Sequence, residues 1–181
     1  MKAPGHDPLL LAGKVIVLFM QGLMALAAVV VAITLPLALI FGADFVSGFA
    51  DGSGVPVDQA PMLAIAGLLL TVLAIVIALF VFFAKLRAII DTVAEGDAFA
   101  PANADRLNLM AWLLLGTQLL SLPAAGLGLL VAKWADQAGH EDITIDARFD
   151  LTGILMVLVL FILARVFRQG AAMRDDLEGT V

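Results

Sequence analysis

The chain contains no cysteine, only two histidines, and few charged residues, 14% of its 181 positions. Without cysteine there are no disulfides, iron–sulfur clusters or thiolate metal sites, and no redox compartment is implied. His6 and His140 fall on opposite sides of the topology derived below, so they do not suggest a metal site. A catalytic constellation is also missing. Ser47, Ser53 and Ser121 have no histidine and aspartate placed to serve them, and no glycine run has the spacing of a phosphate-cradling loop. The expectation is a protein that is not an enzyme and uses no cofactor.

What the chain has in excess is apolar. Its hydrophobic fraction is 62% and its mean hydropathy +1.07, against roughly 45 to 50% apolar residues in soluble domains. Such a chain needs a lipid bilayer as its solvent. The first apolar run covers residues 15–41 and far exceeds the roughly 7 to 15 residues of a signal-peptide core, so it reads as an uncleaved span. Further spans are expected at about 62–84, 103–132 and 151–168, each long enough, at about 1.5 Å per residue, to cross most of a 30 Å hydrocarbon layer. Pro36 and Pro123 lie inside the first and third spans and predict bends there. Thr117, Gln118, Ser121, Gly126 and Gly128 in the third predict helix–helix packing. The fold expected is all-α, a four-helix transmembrane bundle in a single membrane domain.

The second span does not stop at the membrane. Leu86, Ile89, Ile90 and Val93 continue an apolar stripe at helical spacing while Lys85, Arg87, Asp91, Thr92 and Glu95 take the other face. The helix is therefore expected to run out of the bilayer to about residue 95, with Gly96 as its left-handed cap. Pro101 is a good first-turn residue for the next helix, and Asn103 a good N-cap. Between spans three and four, Ile143, Ile145, Ala147, Phe149 and Leu151 alternate strictly with polar residues. That is strand periodicity, and the expected partner is the loop at 42–61, forming a small β-element outside the membrane.

Charge sets the orientation. Lys2, Lys14, Lys85, Arg87, Arg106, Arg165, Arg168 and Arg174 fall on the side of the two termini and the 85–112 connection; only Lys133 and Arg148 fall on the other. Eight bases against two put both termini in the cytoplasm, and the two bases and eight acids outside account for the whole net charge of −6. The acidic outer loops lack the ligand spacing of a calcium loop.

The cytoplasmic connection, GDAFAPANADRLNLMAW, and the chain end, ARVFRQGAAMRDDLEGTV, together resemble the bacterial DUF2975 family of small four-span membrane proteins. That family's usual pattern is G-x-P-F-x-x-x-N-x-x-R-L in the loop and E-V-F-R-x-G-x-x-L-R-E-D-x-E-L-T-V at the end. Gly96, Phe99, Asn103, Arg106 and Leu107 match the first, and Val166, Phe167, Arg168, Gly170, Arg174, Asp176, Thr180 and Val181 the second. Ala98, Ala100, Arg165 and Gly179 depart from it. The resemblance implies no established biochemical activity. Its members are often encoded beside a small helix-turn-helix regulator, which implies a partnership.

Asp91 and Glu95 near a helix C-terminus are disfavoured by the helix dipole and call for bases. The tail offers Arg168 and Arg174, while Arg165 and Arg168 share a helix face to which Asp175 returns. Two readings follow: a lock, with arginines neutralising those acids or reaching lipid phosphates, and a docking platform formed by residues 85–107 and 165–181. The function expected is a membrane partner or sensor for a small cytoplasmic DNA-binding regulator, with no direct nucleic-acid contact, in the bacterial cytoplasmic membrane. The alternative is a small-molecule or lipid transporter subunit. Assembly of identical copies fits either.

Overall fold

The computed structural model describes residues 8–42, 44, 61–137 and 150–178. Four helices account for nearly all of them: α1 (Pro8–Ile40), α2 (Met62–Ala94), α3 (Pro101–Gln137) and α4 (Leu151–Glu178). There is no strand among the described residues; most of the alternating segment ahead of Leu151 and most of its expected partner at 42–61 lie outside them. All four helices are long and apolar enough to cross a membrane. The best 18-residue window in each of α1, α2 and α3 is only 6% buried, so most of that apolar surface faces outward, an arrangement only lipid tolerates. The chain is a multi-pass membrane protein.

Helices are the available solution because every backbone N–H and C=O in lipid must be paired within the segment. Hydroxyls follow the same rule. Thr34 donates to the carbonyl of Val30 at 2.8 Å, Thr71 to Gly67 at 2.7 Å and Thr117 to Leu114 at 2.7 Å, so none of the three asks for water. Pro36 and Pro123 sit inside α1 and α3, and neither interrupts its helix.

The chain divides into two compact units. One comprises 1–25, 77–118 and 150–181, and therefore holds the start of α1, the end of α2, the start of α3 and all of α4. Its centre is Leu107, Met110, Ala111, Leu160 and Ala164, against which Phe82, Leu86, Ile89, Leu114, Phe161 and Phe167 pack. The apolar stripe beyond the second span serves this purpose: Leu86 and Ile89 reach the cluster, and Ile90 lies over α1, 3.7 Å from where a Cβ on Gly13 would stand. α3 and α4 run antiparallel in a single register. Arg168 meets Asp105 and Phe161 meets Trp112, so seven residues along one helix match seven back along the other.

The second unit comprises 26–76 and 119–149. Its fully buried side chains are small: Ala38, Ala64, Ala132 and Ala135. Gly67 lies close to Leu127, whose Cδ1 would be 3.2 Å from an added Cβ, so small residues here let backbones approach. Gly126, expected to mark such a contact, has open space around it instead.

α4 begins with a cap that sequence reading passed over. The Asp150 carboxylate accepts the backbone N–H of Thr152 at 3.0 Å and the side-chain amide of Gln118 at 3.3 Å. Gly153 leaves room for this bond, because a Cβ there would coincide with the Gln118 amide and displace it. The N–H of Gly153, followed by Gln118 and the N–H of Thr152, holds the Asp150 carboxyl below its ordinary value of 3.8. A lowered carboxyl pKa adds stability above that ordinary value, and the contribution disappears as pH falls through the lowered one. Thermal unfolding in detergent followed by circular dichroism should therefore show a melting temperature that drops on acidification below about pH 4, with a smaller drop in Asp150→Asn, whose amide oxygen still accepts the cap bond.

Candidate functional site

The densest polar cluster among the described residues is at the α2–α3 connection, and it begins with a helix terminus. α2 closes with the N–H of Gly96 on the carbonyl of Val93 at 3.1 Å and that of Asp97 on Thr92 at 3.0 Å. This is the paired Schellman arrangement, and Gly96 has the left-handed φ of 87° that it requires. The N–H of Ala100 bonds the carbonyl of Asp97 at 3.3 Å, and α3 starts at Pro101.

Asn103 is therefore the third residue of α3 and not its N-cap. Pro101 opens the helix two residues earlier, and the asparagine side chain is taken up elsewhere. It is fully buried. Its amide nitrogen donates to Thr92 Oγ1 at 2.8 Å and to the carbonyl of Ala98 at 3.0 Å, while its oxygen accepts from Arg106 at 2.8 Å. Because arginine only donates and a carbonyl only accepts, the amide has a single consistent orientation. Thr92 passes its own proton to the carbonyl of Ile89 at 2.8 Å, and Arg106 also donates to Ala88 at 3.0 Å. One amide thus ties the end of α2, the turn and the start of α3 together, with its nitrogen and its oxygen both engaged.

The turn in turn rests on α4. Phe99 and Phe167 lie with ring centroids 5.4 Å apart. A Cβ at Gly170 would stand 2.6 Å from the Phe99 ring, so glycine is needed to seat it. Arg174 pairs with Asp97, and Arg168 with Asp105 at 3.4 Å. Both pairs are exposed and worth about 0 to 1 kcal/mol each. The half-covered Phe99 ring contributes about 1 to 2 kcal/mol and is the stronger anchor.

The expected pairing of the tail arginines with Asp91 and Glu95 is not what forms. Asp91 faces α1 and takes Lys14 at 2.7 Å, with Arg87 at 3.9 Å one turn back on its own helix. Glu95 is exposed and makes no ion pair among the described residues. The register of α4 along α3 brings Arg168 to Asp105 and Arg174 to Asp97 instead. Arg165 is exposed beside Arg168, and Asp176 is exposed near the end of α4. The side chain of Asp175 lies outside those described. Thr92, Asp97, Asp105 and Lys14 were the partners not singled out from sequence. The signal for Asp97 was its place directly after the glycine cap; the others needed the helix register.

The DUF2975 family model, described as a protein of unknown function, matches residues 50–181. No curated protein and no solved structure matches the chain.

Removing the Asn103 amide takes the donor from the Ala98 carbonyl and one bond each from Arg106 and Thr92, which keep those to Ala88 and Ile89, around a buried gap. At about 1 to 3 kcal/mol per unpaired buried group, partly relieved by relaxation, Asn103→Ala should cost about 2 to 4 kcal/mol. Arg174→Gln should cost less than about 1 kcal/mol. Denaturant unfolding in mixed micelles checks the ordering, and equal losses would show that the amide is not the stronger fastening.

Proposed function

The chain belongs to the DUF2975 family, and from that premise we propose that it is a non-enzymatic membrane partner that holds or regulates a small helix-turn-helix protein in the bacterial cytoplasm. The observation that carries this reading is the seating of the α2–α3 turn on α4 through Phe99, Gly170 and Phe167, flanked by Asp97–Arg174 and Asp105–Arg168. The turn is held against a neighbouring helix at several points, so a ligand need not spend binding energy ordering it. The charged groups around it alternate in sign, which favours recognition by complementary charge over a general affinity for nucleic acid. The partner's class comes from the resemblance and is an argument from association.

The orientation proposed is that of the charge count, with both termini, the turn and the end of α4 in the cytoplasm. Since the native chain has no cysteine, single cysteines report topology without background. In sealed inside-out vesicles, a cysteine at Ala98 should react with an impermeant maleimide and one at Asp136 should not. The reverse labelling would invert the orientation and remove the turn from any cytoplasmic partner.

The partnership itself is tested by purification from the native membrane in mild detergent. Wild type should retain a small DNA-binding protein, and the Arg168→Ala/Arg174→Ala double variant should lose most of it while remaining folded. Retention of no such protein, or equal retention by the variant, would sink the proposal.

A further inference from the structure

Beside the seated turn, α3 and α4 leave a cleft of about 370 Å³ lined by Asn108, Phe161, Ala164, Arg165, Arg168 and Gln169. Its lining has two characters. Phe161 and Ala164 form an apolar floor that belongs to the core of this unit. Arg165 and Arg168, three residues apart on one face of α4, bring two guanidinium groups to the lining, which the amides of Asn108 and Gln169 complete. We propose that this cleft binds the phosphate of an anionic membrane lipid, with the glycerol end of the lipid on Phe161 and its chains along the apolar face of α4.

Charge and position both support this ligand. Among the described residues one carboxylate pairs with these arginines, that of Asp105, itself 81% exposed and 3.4 Å from Arg168. Arg165 makes no ion pair among the described residues. The cleft therefore keeps a positive excess, and the planar forked donors of arginine suit phosphate oxygens, which accept two N–H bonds side by side. The amides supply donors for ester or glycerol oxygens. The cleft also lies where charge gives way to lipid-facing surface. Toward the middle of α4, Ile162 and Val166 are about half exposed, and Trp112 stacks edge-on against Phe161 at 5.4 Å while itself 59% exposed. A half-exposed tryptophan next to a belt of bases is the usual composition of a membrane interface, and basic clefts between spans at that depth suit anionic head groups. A soluble phosphate would use the arginines but not the floor or the adjoining apolar face.

The test is native mass spectrometry of the full-length protein taken from nanodiscs of mixed phosphatidylglycerol and phosphatidylcholine. Wild type should retain phosphatidylglycerol in preference, with one lipid held more firmly than the rest. Arg165→Gln, which breaks no ion pair among the described residues, should weaken that retention about tenfold, the effect of losing one charge-assisted contact. Lys133→Gln, which removes a positive charge far along α3, should leave it unchanged. Millimolar inorganic phosphate should not displace the lipid. Equal retention of both lipids, an unaltered Arg165→Gln variant, an equal loss in Lys133→Gln, or displacement by inorganic phosphate would each overturn the assignment, the last by identifying a soluble anion as the ligand.

Discussion

The buried amide of Asn103 is the contact on which the turn-bearing unit depends. Two helices that leave the membrane could end in a loose connection, and here they do not. The amide bonds the last turn of α2, the carbonyl of Ala98 and Arg106 on α3, and it can do so in one orientation only. With the turn closed by the Gly96 cap and held by this amide, Asp97, Phe99 and Asp105 are presented to α4 as a set. The surface pairs are individually weak. They align because the backbone carrying the acids has already been fixed by stronger, buried bonds.

Around this fastening the structure follows from lipid as solvent. Apolar side chains gain little by meeting each other instead of acyl chains, so association rests on close packing and on polar groups that find partners. The alanines buried in the second unit and the meeting of Gly67 with Leu127 are the first kind of contact. The Asn103 network and the Gln118–Asp150 bond are the second. The Asn103 network lies at the α2–α3 turn and Asp150 at the start of α4, where unpaired backbone groups also need partners. Arg165, facing a cleft at the interface, is proposed to find its partner in the membrane.

Much of this was legible in the sequence. The four apolar runs, the helical stripe Leu86, Ile89, Ile90 and the glycine that ends α2 are local signals, because hydrophobic period and permitted φ depend on a residue and its near neighbours. The nearness of the chain end to the 96–107 stretch was readable only through resemblance. Asp91 was misassigned because both α1 and α4 carry bases on its side of the membrane, and charge counts do not say which helix its face turns toward. Asn103 was misplaced for a related reason. The residue type favours caps, but Pro101 had already started the helix and a buried partner on α2 was available.

Sequence alone determined that this chain lives in a membrane, that its described elements are helices and where its turn closes, since these depend on summed hydropathy and on local backbone chemistry. Tertiary structure decided which acid meets which base, why Gly170 must be glycine under Phe99, and that two arginines and two amides share one cleft. Those outcomes depend on the rotation and sliding of one helix against another. A shift of a single residue along a helix turns a side chain by about 100°, so they are set only when the whole interface packs.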